Sequence, residues 1–358
     1  MKGYYMSTKD KRIKLALVGL NFGKHIIESQ LLDGPGSKYI ELVGICDLDA
    51  AKAKTFGGKY AVRVFESLDS ILKEPEVEAV GLFTPPRGRA KLLDSIISAG
   101  KHVMTTKPFE DDPAAAMAVL KKAKKLGKVI HLNSPSPVPS DDIRQIFEWR
   151  DKYKLGQPIS ARWETYARYF EKADGSWMDD PGKCPVAPIF RLGIYGINDL
   201  LQLCGNPKEI HVMHSRIFTG RPTSDNAQMS IRFENGCVSS ILGSFCINDG
   251  NVYPNNLIIH FEKGTVTRSI LSSEFFGKTR DKVTLTLQAL KGKDEKVTET
   301  VFIDRDAISG GYQWNNFHKA VRGGKLENEI SPDLIVNSIR VLNAMKKDQF
   351  SNTSAMID

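Results

Sequence analysis

No run in these 358 residues approaches the roughly 18 consecutive apolar positions of a membrane-crossing helix, so a spanning helix is excluded. The opening stretch MKGYYMSTKDKR also lacks the apolar centre of a secretory signal. Cysteine is scarce: Cys46, Cys184, Cys204, Cys237 and Cys246 are odd in number and contain no C-x-x-C pair. That spacing supports neither a disulfide framework nor a zinc cluster, and a soluble cytoplasmic protein with reduced thiols is expected. A basic stripe is missing too. Lysine and arginine exceed aspartate and glutamate by 50 to 42, a formal +8. The densest cluster, Lys121, Lys122, Lys124 and Lys125, falls on a predicted helix face with no aromatic or recognition-helix pattern beside it. This is a solvated surface rather than a nucleic-acid groove, although the excess charge can draw anionic metabolites toward a cleft.

What is present is ordinary for a globular chain, 41% apolar and 26% charged, and long enough for two domains. From Ile13 to about Asn133, short apolar runs alternate with helical segments: 13–18, 39–46, 62–65, 77–83, 102–105 and 128–132. Continuous apolar runs between helices mark parallel strands covered on both faces, so 13–134 is predicted to be a doubly wound α/β domain. Such sheets bind ligands beyond the carboxyl ends of their strands, where the strand order reverses. After the proline-rich SPSPVPS (134–140) the pattern changes to a helix, DIRQIFEWRDKYK, and then to strands. Met229, Ile231 and Phe233 alternate with polar residues before the turn Asn235-Gly236, and 283–290 and 297–303 flank the turn KGKDEK. Residues 135–358 are therefore expected to form an α+β domain on a large, mostly antiparallel sheet, closed by helices near 312–321 and 332–347.

The first strand runs into Gly19-Leu20-Asn21-Phe22-Gly23-Lys24, where a dinucleotide-binding domain has its phosphate loop; a plain turn is the rival reading. Asn21 and Lys24 take the second and third glycine places. Strand two ends at Asp47, placed either to accept the adenosine ribose hydroxyls or to cap the next helix. A carboxylate there repels a 2′-phosphate, and neither Leu48 nor Asp49 supplies a cation, which favours NAD over NADP. Strand four ends in Thr84-Pro85-Pro86, a rigid turn or a rigid lip beside the nicotinamide. Strand five ends in KHVMTTKPF, with Lys107 held extended by Pro108. A lysine desolvated in such a place exchanges protons nearer neutrality than one in water.

Four segments together resemble the glucose-fructose oxidoreductase, inositol dehydrogenase and rhizopine-catabolism family, Gfo/Idh/MocA: VGLNFGKH, ICDLD, FTPPRGRAKLLDSIISAGKHVMTTKP and WMDDPGKCPVAPIFRLGIYGINDLLQLCG. The resemblance implies an N-terminal Rossmann domain and a C-terminal domain whose open sheet forms a homodimer or homotetramer interface. It also implies NAD(P)-dependent oxidation or reduction at a carbon of a sugar or polyol. Lys107 and Pro108 keep the family places, while Thr106 replaces a glutamate. Against the family pattern D-x-G-x-H-x-x-D, Gly193 matches, and Arg191, Tyr195 and Asn198 stand at the three polar positions.

Tyr195 can carry the proton if Lys107 and Arg191 lie within several ångströms of its hydroxyl and favour phenolate. Arg191 either clamps an anionic substrate group or forms a salt bridge to Asp179, Asp180 or Asp199, and Asn198 is assigned to substrate binding. His211 and His214 sit three apart on a strand, a poor metal-binding spacing, so no metal is expected. Trp163, Tyr166, Tyr169 and Trp177 are read as packing or, secondarily, as sugar-stacking residues. Two alternatives to a dissociating-cofactor dehydrogenase stay open: a catalytically impaired NAD- and sugar-binding regulatory protein, and an enzyme that retains its cofactor through alternate oxidation and reduction.

Overall fold

The computed structural model describes residues 11–251, 253–270, 282–292 and 295–351. Most of the opening dodecapeptide and the centre of the KGKDEK turn lie outside the described residues. Two compact units emerge, one of residues up to Val138 together with Tyr312–Pro332, the other of Pro139–Gly311 and the segment from Asp333 on.

In the first unit, strands β1 (Ile13–Val18), β2 (Ile40–Cys46), β3 (Arg63–Val64), β4 (Ala79–Leu82), β5 (His102–Thr105) and β6 (Ile130–Leu132) alternate with five helices. These are α1 (Leu20–Ile26), α2 (Ala50–Tyr60), α3 (Leu68–Leu72), α4 (Arg89–Ser98) and α5 (Pro113–Lys125). The strands pair in parallel in the order β3-β2-β1-β4-β5-β6. The order reverses between β1 and β4, which is the switch point of a doubly wound sheet. All four residues of β4 are buried, as the continuous apolar run requires of a strand covered on both faces.

The second unit begins with α6 (Asp141–Tyr153) and β7 (Pro158–Tyr166), and α7 (Ile194–Cys204) precedes the remaining strands. These are β8 (Pro207–Ser215), β9 (Asn226–Phe233), β10 (Val238–Ser244), β11 (Asn256–Phe261), β12 (Gly264–Ser269), β13 (Lys282–Lys291) and β14 (Glu295–Asp304). They form one sheet in the order β14-β13-β12-β11-β7-β10-β9-β8, antiparallel except where β7 meets β10. In β9 the alternation seen in the sequence becomes alternation of faces: Met229, Ile231 and Phe233 are buried, and Gln228 and Ser230 are exposed.

The last two helices, α8 (Trp314–Val321) and α9 (Pro332–Asp348), go to different units. The expected second domain, 135–358, is thus interrupted. Tyr312, Trp314 and Phe317 pack into the core of the first unit with Ile13, Leu15 and Met104, while Val341, Leu342 and Met345 join the core of the second. An amphipathic helix displays an apolar face, but its sequence does not say which core receives it.

Candidate functional site

Strand register in the first unit brings the expected residues to one level. Val18 pairs with Cys46 and with Leu82, and Leu82 pairs with Thr105. The residues that follow these strand ends, Gly19, Asp47, Thr84 and Lys107, therefore stand along the carboxyl edge of four neighbouring strands.

At the first of these ends the backbone leaves β1 through Gly19 at φ 91°, and a Cβ there would lie 2.8 Å from the Phe83 carbonyl oxygen. Only glycine fits that close approach. Gly23, inside α1, is equally constrained: a Cβ would come within 2.5 Å of the Leu17 side chain. The close helix-to-strand packing expected of the third glycine place is therefore supplied by Gly23, and Lys24 is a half-exposed helix residue. Asn21 and Phe22 are exposed, with the Phe22 ring 6.2 Å from that of Phe83.

Asp47 does not cap α2. That task falls to Asp49, whose carboxylate accepts the Lys52 N–H at 2.9 Å. Asp47 instead receives the Leu20 N–H at 2.7 Å and the Asp49 N–H at 2.9 Å, tying the end of β2 to the turn after β1. Neither of the next two residues, Leu48 and Asp49, is a cation. The structure places one a turn further on: the Lys52 ammonium lies 3.8 Å from Asp47 and donates to Asn21 Oδ1 at 2.8 Å.

Lys107 is half-buried, and its N–H donates to Asn133 Oδ1 at 3.1 Å. The neighbouring Thr106 hydroxyl donates to the same oxygen at 3.2 Å and accepts from the Tyr312 hydroxyl at 3.3 Å. Beneath this segment lies a residue that no motif marks, Arg89, which is 1% exposed. Its guanidinium donates to the carbonyls of Thr106 (2.6 Å), Pro108, Phe109 (3.3 Å) and Thr84, binding the ends of β4 and β5 together. Burial pulls Arg89 down to about 10, partly opposed by Glu110. Glu110 accepts the Gly88 and Ala90 N–H groups at 3.1 and 2.6 Å, satisfying the open N-terminus of α4. Thr84 is half-buried and Pro85 exposed.

In the second unit, Arg191 and Tyr195 flank the entry to α7. The Arg191 partner is none of the three aspartates considered. Its two Nη atoms make a bidentate pair with Glu171 at 2.7 and 2.8 Å, and its guanidinium lies 5.0 and 4.8 Å from the centres of the Tyr169 and Phe245 rings. The three aspartates are bonded by other cations: Asp179 by Arg221 at 2.6 Å, Asp180 by Lys183 at 3.0 Å and Asp199 by Arg268 at 2.8 Å. Arg221 also reaches Glu171 and Asp174, each at 2.9 Å. Burial pushes Glu171 upward, but its bonds to Arg191 and Arg221 outweigh that and hold it below the usual carboxylate range. Burial likewise opposes the charge on Arg191, and Glu171 more than compensates, raising it. The Tyr169 phenol is pushed well above its usual value by burial, against the pull of Arg191, so it stays protonated near neutrality.

Tyr195 is half-buried against the core of this unit. Asn198, assigned to substrate binding, is 0% exposed and presents no surface to a ligand. Behind it Arg268, also fully buried, bonds Asp142 and Asp199, and Asp199 receives the Trp163 indole N–H at 3.2 Å. Trp163 is thus a core residue. Among the described residues no group of three or more His, Cys, Asp or Glu side chains could hold a metal ion, and no helix is long and apolar enough to cross a membrane.

Residues 13–134 match the model of the oxidoreductase family with an NAD-binding Rossmann fold, and residues 143–267 match the GFO/IDH/MocA C-terminal domain. The chain belongs to the Gfo/Idh/MocA oxidoreductase family. Its first unit is accordingly a nicotinamide-dinucleotide domain. An uncharacterized oxidoreductase of Schizosaccharomyces pombe is 23% identical over 55% of this chain and 54% of its own length. Galactose 1-dehydrogenase of Pseudomonas fluorescens is 29% identical over 39% and 42%, so the chain spans about half or less of these curated relatives. Across the whole fold, the crystal structure of a Desulfitobacterium hafniense oxidoreductase described as NADPH-dependent superposes with a TM-score of 0.73. It is 18% identical and covers 94% of this chain and 95% of its own.

Proposed function

We propose that this chain is an NAD-dependent dehydrogenase or reductase acting at a CH–OH carbon of a sugar or polyol, with Lys107 carrying the substrate proton. The observation behind this reading is the alignment of Gly19, Asp47, Thr84 and Lys107 on one strand edge of the first unit. The residues present fit a dinucleotide: the backbone at Gly19 lies where a Cβ would collide, and Asp47 is fixed by two backbone donors. Gly19, Asn21, Phe22, Gly23 and Lys24 would hold the pyrophosphate side, Asp47 the ribose, and Thr84, Pro85 and Lys107 the nicotinamide side. Bound there, the nicotinamide supplies the hydride acceptor or donor. Asn133 and the Arg89-bonded carbonyls fix the backbone at Lys107, and its ammonium would serve as the proton carrier. Tyr195, in the second unit, is the second proton-carrying candidate.

The substrate class rests on family and on chemistry. Galactose 1-dehydrogenase is among the relatives, and the second unit offers Arg191 and Glu171 as paired groups. Because the guanidinium fork already meets a carboxylate, a neutral sugar or polyol suits this site better than the anionic substrate suggested by Arg191 alone. That same engagement, with Thr106 in place of a glutamate and Asn198 buried, favours the second reading, a binding protein that has lost turnover. A homodimer or homotetramer is carried over from the family resemblance, and the exposed Met213 and Val238 on the eight-stranded sheet are compatible with it. Five cysteines without a disulfide pattern support a cytoplasmic location.

Nicotinamide absorbance, followed with NAD and a panel of sugars, uronates and inositols, tests the proposal. Reduction with at least one neutral member is expected. Firm NAD binding with no reduction by any member, and none of tightly bound cofactor, supports the binding protein instead.

A further inference from the structure

Asp47 alone would make this ribose site hostile to a 2′-phosphate, yet the carboxylate is not alone. Lys52, two residues inside the first turn of α2, has a side chain 30% exposed. Its ammonium lies 3.8 Å from Asp47 Oδ1, 4.0 Å from Asp49 Oδ2 and 2.8 Å from Asn21 Oδ1. It thus joins the turn after β1, the carboxylate after β2 and the amino end of an eleven-residue helix. Both Asp47 oxygens are committed to backbone N–H groups, which hold the carboxylate in place, and a neighbouring cation offsets its field.

We propose that Lys52 sets the choice between the two nicotinamide dinucleotides: its ammonium offsets the repulsion of Asp47 for a ribose 2′-phosphate, so the chain accepts NADP beside its preferred NAD. The inference rests on the reading of the first unit as a nicotinamide-dinucleotide domain with Asp47 at the ribose. Asp47 and Asp49 carry two negative charges against one ammonium and the positive end of α2, which leaves NAD ahead. Lys52 is flexible enough to move from Asn21 to a phosphate oxygen, exchanging a neutral partner for a charged one, and charge-assisted bonds are the stronger.

The test is direct binding of NADH and NADPH to the full chain, read from the fluorescence of the reduced nicotinamide, so it does not depend on knowing the substrate. Lys52→Ala should weaken NADPH about tenfold, the size of one charge-assisted bond, and NADH less than about threefold. Lys52→Glu should weaken NADPH further, and Lys52→Arg should keep both. Added salt should weaken NADPH more in the wild type than in Lys52→Ala. Lys54→Ala removes an exposed cation of the same helix outside the ribose site, and should leave the NADPH-to-NADH ratio in place. Three results overturn the proposal: an unchanged NADPH-to-NADH ratio in Lys52→Ala, equal losses of NADPH in Lys52→Ala and Lys54→Ala, or a wild type that binds NADH and not NADPH. A wild type that binds neither overturns the dinucleotide reading itself.

Discussion

Side chain-to-backbone bonds fix the candidate residues of the first unit, with Asp47 on the Leu20 N–H, Asn133 on the Lys107 N–H and Arg89 on four carbonyls. In the second unit, charged side chains hold one another: Arg191 with Glu171, Arg221 with Glu171, Asp174 and Asp179, and Arg268 with Asp142 and Asp199. A backbone-held edge keeps its shape while individual side chains vary, which suits a part that receives a nicotinamide dinucleotide. A charge-held region can be rewired by exchanging pairs, which suits the part that we propose selects the substrate. The contrast can be broken experimentally at each kind of cation.

The largest effect should come from Arg268→Met, which leaves Asp142 and Asp199 buried without their cation. A loss of about 3–5 kcal/mol is expected, read by urea denaturation from Trp149, Trp163 and Trp177 of the second unit. A loss below about 1 kcal/mol would mean that the charges do not hold that unit. Arg89→Met should cost about 1–3 kcal/mol in the first unit, since its carbonyls lose their donors. It should also weaken NADH binding, and the surface variant Arg87→Met should do neither.

A smaller effect is the acid limb of stability. Glu171 and Asp179 have folded values below their ordinary ones, because bonds from Arg191 and Arg221 outweigh burial. Their contribution is therefore complete above the unfolded values, 4.5 for Glu171 and 3.8 for Asp179, and is lost as the pH falls below them through the folded values. In Arg221→Met the slope of stability against pH in that range should flatten, and an unchanged slope would detach these carboxylates from Arg221. Smallest is the substrate effect of Arg191→Ala: with Glu171 occupying the fork, KM should rise alike for neutral and acidic sugars, and a selective rise for acids would restore the anion clamp.

These two ways of holding residues also explain what could be read in advance. The strands of the first unit were legible because burial on both faces leaves uninterrupted apolar runs, and β9 because burial on one face leaves alternation. Gly19 was legible because a positive φ admits few residues, and Lys107 because a proline follows it at a strand end. The packing role of Gly23 was not legible, because spacing in a motif does not show which position faces Leu17. Lys52 escaped because helix geometry, not adjacency, brings it to Asp47. The partner of Arg191 lies twenty residues away and Arg268 pairs across more than sixty, and sequence offers no rule for matching charges at such separations. The return of residues 312–332 to the first unit was hidden for a similar reason, since the apolar face of α8 suits either core.

In the function proposed above, the proton moves through Lys107, two residues beyond the end of β5. The decisive measurement is single-turnover reduction of bound NAD in the wild type and in Lys107→Met, with NADH affinity measured on both. A fall of about a hundredfold or more in the rate is expected, the usual worth of a positioned acid or base, with NADH affinity held within about threefold. A variant that reduces NAD as fast as the wild type would contradict it.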